Sequence, residues 1–302
     1  MISTALYALK ANTPTILRSN VNVCLYPCWS NTPSSCTPLV LLGGTASVID
    51  SWQAHVKPLS RERDVLCVEG LGQGKSTALD CSMTSQVSAI HSALHEDLGV
   101  REVDVAGVSF GGRVGVALAR DGGSGGGRGR TRVRKLHVTG IGAKRDEQAV
   151  SRIERWRELL SDKEKGLEMC AWDLVKSSYS KGFLKKNEKK LGKFVEFVVN
   201  KNTREGLERL IGQSHAAIDD ALGVRESLRL TGAREIRFLL GSEDVVVAKD
   251  AKGVKVAMDE LIDEVGEGGG GRGEGMVVEG YGHVLNMEWG GWSRDLEDFL
   301  KR

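Results

Sequence analysis

Residues 107–112 read Gly-Val-Ser-Phe-Gly-Gly and fit the pattern G-x-S-x-G. An apolar, strand-like run ends at Val108 and a helical pattern covers residues 112–120, so Ser109 is expected on a sharp strand-to-helix turn. Such a turn strains the serine backbone and lifts its hydroxyl above the sheet. Small residues two before and two after keep strand and helix from colliding. The turn also aims the Phe110 N–H, at the start of a helix, toward a developing negative charge. The chemistry implied is nucleophilic attack by a hydroxyl, which needs a base and a carboxylate to orient that base.

Six histidines could supply the base. His91 and His95 stand four apart on one helix, but no HExxH glutamate and no third ligand accompany them, so a packing or surface role is expected. His55 falls on a helix, His137 inside a strand and His215 at the end of a long helical stretch. His283 differs. It ends Gly280-Tyr281-Gly282-His283, directly after the last apolar strand, at the sheet edge where open α/β folds gather their reactive groups. For the carboxylate, Asp244 follows the run 235–240 in Gly-Ser-Glu-Asp, with Glu243 as its neighbouring rival and Asp146, after the run 135–141, as another. The chain order is serine, acid, histidine.

Positioning these groups requires strands that end together. Short apolar runs at 39–42, 64–69, 103–108, 135–141, 235–240 and 276–279 alternate with helix-length segments at 48–59, 83–98, 112–120 and 292–300. That alternation predicts an α/β fold: a mainly parallel central sheet with helices on both faces. From about residue 145 to 215 no strand-like run appears, only helical periodicity, which predicts an inserted helical subdomain. The expected organisation is a core of residues 1–142 and 217–302 around a helical cap of residues 143–216. The stretch 143–215 carries 17 basic and 12 acidic residues, against 25 and 28 elsewhere, which makes a mildly basic lid over an anionic substrate or a solvated helix face.

The 302 residues include 42 Lys plus Arg and 40 Asp plus Glu, so no basic field points to nucleic acid. At 40% apolar and 27% charged, the composition is that of a soluble globular chain, and no apolar run approaches a membrane span. Of 38 glycines, 13 sit in residues 121–130 and 266–275, both read as flexible surface loops on the edge away from the reactive groups. The six cysteines include no CxxC pair and are expected as reduced thiols in an intracellular compartment, with neither metal nor cofactor. The first 49 residues hold no acid and 12 Ser or Thr. That bias is either a short plastid or mitochondrial targeting segment within about residues 1–15 or part of a strand-rich fold.

Four motifs together resemble the α/β-hydrolase fold superfamily from about residue 38 to the C-terminus: Leu41-Leu42-Gly43-Gly44-Thr45, Gly72-Gln73-Gly74-Lys75-Ser76, residues 107–112, and Gly280-Tyr281-Gly282-His283. The resemblance implies an α/β-hydrolase fold with a helical cap between its sixth and seventh strands. It implies a Ser109–His283–Asp244 triad and an oxyanion hole formed by the Thr45 and Phe110 N–H groups. Gly43 stands where the family usually has histidine, which a backbone donor does not require. The spacing of Trp156 and Trp172 in the helical stretch resembles that of small-molecule members such as enol-lactonases and aminoacrylate hydrolases, and Gly44, Trp156 and Trp172 join Arg113 as candidate substrate contacts.

The run Gly70-Leu71-Gly72-Gln73-Gly74-Lys75-Ser76-Thr77 looks like a phosphate-binding loop, but Glu69 stands where that motif requires glycine, so a structural turn is expected. Arg113, four residues after Ser109, sits in a first helical turn that disfavours a cation. It either pairs with a carboxylate or reaches water, or it binds a substrate carboxylate. Ser109-Phe-Gly-Gly-Arg113 resembles the Ser-x-Gly-Gly-Arg of the menaquinone-pathway synthase, a lyase that uses such a triad for proton abstraction. The sequence thus implies a serine hydrolase acting on a small-molecule ester, lactone or thioester. The synthase-like lyase stands as the alternative, and a non-catalytic ligand-binding member of the fold as the third reading.

Overall fold

The computed structural model describes residues 5–29, 36–123, 129–145, 147–215, 223–269 and 271–302. The chain opens with β1 (Thr15–Ile16) and β2 (Asn22–Tyr26), joined through Asn20 at φ 62°, a left-handed turn position that asparagine tolerates. Then come β3 (Leu39–Leu42), α1 (Gln53–Leu59), β4 (Val65–Val68), α2 (Met83–His91), β5 (Glu102–Val108), α3 (Phe110–Asp121) and β6 (Arg132–Thr139). Between β6 and β7 the described chain is entirely helical: α4 (Glu147–Ser161), α5 (Gly166–Ser178), α6 (Lys181–Lys186), α7 (Leu191–Lys201), α8 (Arg204–Leu210) and α9 (Val224–Arg229). The chain closes with β7 (Glu235–Gly241), α10 (Ala251–Gly268), β8 (Arg272–Val278), α11 (Leu285–Glu288) and α12 (Trp292–Lys301).

The eight strands form one sheet in the order β1-β2-β4-β3-β5-β6-β7-β8. The β1–β2 and β2–β4 pairs are antiparallel and the other five pairs are parallel, as the alternation of apolar runs with helices from β3 onward predicts. β3 and β4 are buried at every residue because helices cover both faces, which is why their sequences, Leu-Val-Leu-Leu and Val-Leu-Cys-Val, do not alternate. One large apolar cluster includes Val40, Val105, Val116 and Phe238. A second gathers Leu41, Trp52, Ala106, Trp292 and Phe299. Parallel pairing aligns Leu42 with both Val68 and Gly107, so the C-terminal ends of β3, β4 and β5 finish side by side.

Several expectations shift. The helix after Ser109 starts at Phe110, two residues early, and the predicted helix 83–98 is α2 followed by a π-turn over Ser92–Asp97. The described residues of the glycine-rich run 266–275 are mostly helix and strand rather than loop. α10 continues through Gly268 and β8 begins at Arg272, with Gly269 at φ 65° as the helix-ending residue. Within β8 the glycines serve packing: a Cβ at Gly273 would press on Val265 at 3.2 Å, and one at Gly275 would run into the Met258 side chain of α10. Gly275→Val is expected to cost about 1–3 kcal/mol by forcing α10 off the sheet. Urea denaturation midpoints measure it, and an unchanged midpoint would contradict this packing. Residues 124–128 of the other glycine-rich run lie outside the described residues.

A buried polar cluster ties α12 to the sheet. Asp295 accepts from Arg237 Nη2 at 2.7 Å and pairs with His137 Nε2 at 3.1 Å. Burial by itself would raise the Asp295 carboxyl, but the hydrogen bonds from His137 and Arg237 override it and hold the group at about 2. Because the folded value lies below the unfolded one, the stabilisation is complete above about pH 4 and is lost as the pH falls toward 2. It amounts to roughly 2 kcal/mol. Denaturation midpoints of wild type should therefore fall over that window, and Asp295→Asn should flatten this part of the acid limb.

Candidate active site

Ser109 occupies the turn between β5 and α3 with φ 54° and ψ −120°, a conformation that costs a non-glycine residue about 1–3 kcal/mol. The Ser109 N–H donates to the Thr139 carbonyl at 2.7 Å, and the Ser109 carbonyl accepts from the Arg113 N–H at 3.1 Å. The glycines predicted to relieve the turn do so. A Cβ at Gly107 would lie 2.6 Å from Gly112 Cα, and one at Gly111 would lie 2.5 Å from the Gly43 carbonyl oxygen.

His283 Nε2 lies 2.7 Å from Ser109 Oγ. Its Nδ1 faces Asp244, 2.9 Å from Oδ2 and 3.0 Å from Oδ1. Asp244 is 1% exposed and fixed from behind, its Oδ1 accepting from the Val246 and Val247 N–H groups at 3.0 Å each. With the carboxylate on Nδ1, the neutral ring carries its proton there and leaves Nε2 to accept from the serine hydroxyl. Glu243 points elsewhere: it is exposed and accepts from the Lys181 N–H at 3.1 Å. Asp146 and the side chain of His215 lie outside the described residues. The other histidines are engaged structurally: His55 with Ser293 Oγ at 2.8 Å, His91 with Asp121 and the Thr131 N–H, His95 with Arg101, and His137 with Asp295.

Two cavities meet at Ser109, and Thr45, Ser109, Trp156 and His283 line both. The larger, ≈ 140 Å³, runs beneath α5 and α7 and is walled by apolar side chains such as Leu174, Val175, Phe194 and Val198. The smaller, ≈ 70 Å³, is bordered by Phe110 and by Arg113, Lys144, Arg145 and Arg152. Lys144 is paired with Glu260 at 2.7 Å and Arg152 Nη2 donates to the Val245 carbonyl at 3.2 Å. Gly44 abuts the serine: a Cβ there would lie 3.1 Å from Ser109 Cβ. The next residues, Thr45 and Ala46, complete a tight turn in which Ala46 takes φ 66° and the Ser47 N–H donates to the Gly44 carbonyl.

Trp156 lies between the two cavities, its indole N–H donating to Asp173 at 2.8 Å. Trp172 does not join it. That ring packs into the apolar cluster of the helical insertion with Lys176 Nζ over its face, because the turn of α5 facing the cavity is carried by Leu174 and Val175. The phosphate-loop lookalike is a turn wrapped around Glu69, whose buried carboxylate accepts from the Lys75 N–H, the Ile49 N–H and Asn22 Nδ2 at 2.8–3.1 Å. The protein's own carboxylate thus takes donors from this loop.

Sequence patterns gave no sign of four contributors. Asp173 orients Trp156, and Tyr179 lines the larger cavity, its phenol pushed up to about 12 by burial and the nearby Glu288. Asn202, just after α7, joins the insertion to the loops after β3 and β4, through the Ala46 carbonyl and the Gly74 N–H. Glu288 bonds to Ser180 and Gly282. None carries a motif, since each acts between separate elements of the fold.

Residues 37–231 match the family described as alpha/beta hydrolase fold, and the chain belongs to that family. No curated protein sequence matches it. Among solved structures it is similar to MGS-M2, an alpha/beta hydrolase enzyme from a Medee basin deep-sea metagenome library (18% identity, 96% of this chain and 98% of that one, TM-score 0.76). It is similar as well to the enol-lactonase from Burkholderia xenovorans LB400 (18%, 96% and 100%, 0.71) and to MenH from S. aureus (14%, 92% and 97%, 0.72). At these identities the likeness is one of fold. Among the described residues no helix is long and apolar enough to cross a membrane.

Proposed function

We propose that this protein is a serine hydrolase that transfers the acyl group of a small-molecule ester, lactone or thioester to water. The observation that carries this reading is the hydrogen-bonded line from Ser109 Oγ through His283 to Asp244, at 2.7 and 2.9 Å, on the floor of a cavity. His283 Nε2 takes the hydroxyl proton as Oγ attacks the carbonyl carbon. Asp244 holds the tautomer and stabilises the imidazolium, and the Thr45 and Phe110 N–H groups stabilise the oxyanion. Collapse of the tetrahedral intermediate returns the proton from His283 to the leaving group, and water repeats the sequence on the acyl-enzyme. The insertion acts as a cap, with α4, α5 and α7 excluding water from an apolar group beside Ser109.

The synthase-like lyase is the second reading, and Arg113 in the smaller cavity beside Ser109 is what favours it, as a contact for a substrate carboxylate. Likeness of fold to both an enol-lactonase and MenH is compatible with either chemistry. A fluorophosphonate probe together with p-nitrophenyl butyrate decides between them. Labelling plus ester turnover, both lost in Ser109→Ala, supports the hydrolase, and labelling without any ester turnover moves the assignment to the lyase. If wild type is not labelled, the nucleophile assignment fails.

A further inference from the structure

The loop bearing His283 is held from two sides. Its base is fixed to the turn after β7: the Gly280 N–H donates to Ser242 Oγ at 2.9 Å, and the Tyr281 carbonyl accepts from the Glu243 N–H at 2.9 Å. Its tip is held by the helical insertion instead. The N–H groups of His283 and Val284 both donate to the Ser178 carbonyl at the end of α5, at 2.8 and 3.2 Å. The Gly282 N–H donates to Glu288 Oε1 at 3.2 Å. That same carboxylate accepts from the Ser180 N–H at 3.0 Å and from Ser180 Oγ at 2.6 Å, at the start of α6. The approach is close enough to exclude a side chain, since a Cβ at Gly282 would lie 2.5 Å from Ser180 N and 2.8 Å from the Tyr179 carbonyl carbon.

We infer that Glu288 is a positioning residue that makes the reactive geometry of His283 depend on the seating of the helical insertion. This inference rests on the triad reading above and goes beyond it. The insertion cannot lift from the core at the α5–α6 junction without breaking the bonds that fix the backbone of residues 282–284. Lifting would also carry His283 away from Ser109 Oγ, so the proton path is complete only when the insertion is closed. A misplacement of the base by about 1 Å is enough for a roughly 100-fold loss of rate.

The test is Glu288→Leu, which keeps roughly the side chain's size but removes both acceptor oxygens. Glu288→Gln is the conservative control: its amide oxygen can accept from the Ser180 and Gly282 N–H groups while its NH₂ donates to Ser180 Oγ, and most activity should return. With p-nitrophenyl butyrate Glu288→Leu is expected to lose roughly 10- to 100-fold in kcat, with KM within about twofold. Fluorophosphonate labelling of Ser109 should slow in step. The downfield proton resonance of His283 Nδ1 should broaden or move upfield, at a temperature where thermal melting shows the variant fully folded. Ser180→Ala, which removes one donor, should give a smaller loss in the same direction. A Glu288→Leu protein with wild-type kcat and an unchanged Nδ1 resonance would overturn the inference. So would a loss of activity that merely follows the unfolded fraction. If wild type shows neither labelling nor turnover, the hydrolase reading is what has failed, and the Nδ1 resonance of the variant still decides whether Glu288 positions His283.

Discussion

Replacing Ser109 with alanine is expected to abolish fluorophosphonate labelling and to lower ester turnover by about 10⁴- to 10⁶-fold. The size follows from what the residue does in the proposed mechanism. Ser109 Oγ is the atom that bonds to the acyl carbon and the one within 2.7 Å of His283 Nε2, so alanine removes nucleophile and proton donor together. Residual rate would come only from the N–H donors and from holding the ester in the cavity. The substitution should leave the fold intact, because the Ser109 N–H bond to Thr139 and the φ of 54° belong to the backbone. Steady-state kinetics with thermal melting check both halves. A variant retaining a tenth of wild-type kcat would exclude Ser109 as the nucleophile.

Asp244→Asn should be nearly as damaging, roughly 10⁴-fold in kcat, for a less direct reason. Asp244 Oδ1 accepts two backbone N–H groups, from Val246 and Val247, so an asparagine would place its carbonyl oxygen there. Its NH₂ would then face His283 Nδ1 and force that nitrogen to accept. The ring proton would move to Nε2, where it opposes the serine hydroxyl and removes the base. Because both backbone donors stay satisfied, stability should change little, and a folded but inactive variant is the expected outcome. Full activity in Asp244→Asn would transfer the orienting role to another carboxylate. Glu243 is poorly placed for it, being exposed and bonded to the Lys181 N–H.

Much of this site was legible in the sequence because its constraints are local. Gly107 is kept small by Gly111 and Gly112 within one strand–turn–helix unit, while Gly111 and Gly112 are kept small by the chain beside it (Leu42 and Gly43, Val138 and Ile141). The spacing around Ser109 therefore marks the turn though not its neighbours. The apolar runs of β3, β4 and β5 are continuous because both faces are covered, and the resulting alternation announces a parallel sheet. Composition misled where two causes produce the same residues. Glycine in 266–275 reads as loop filler, yet Gly273 and Gly275 are strand residues kept small by Val265 and Met258 of α10. Trp172 and Trp156 are equal candidates by type. Helix register separates them, turning Trp156 to the cavity and Trp172 into the insertion's own core.

The α/β architecture, the helical insertion between β6 and β7, and the order serine, acid, histidine are legible along the chain without its coordinates. Each of these depends on residue spacing within a single element or on the succession of elements, and side-chain sterics and hydrophobic periodicity act over those short distances. Tertiary packing alone shows that Asp244 rather than Glu243 faces His283, that two cavities meet at Ser109, and that Glu288 joins the insertion to the histidine loop. Apart from the Glu288–Gly282 bond, these are contacts between residues tens to more than a hundred positions apart. They depend on the directions in which loops leave the sheet and helices settle over it, and single-sequence periodicity does not encode those directions.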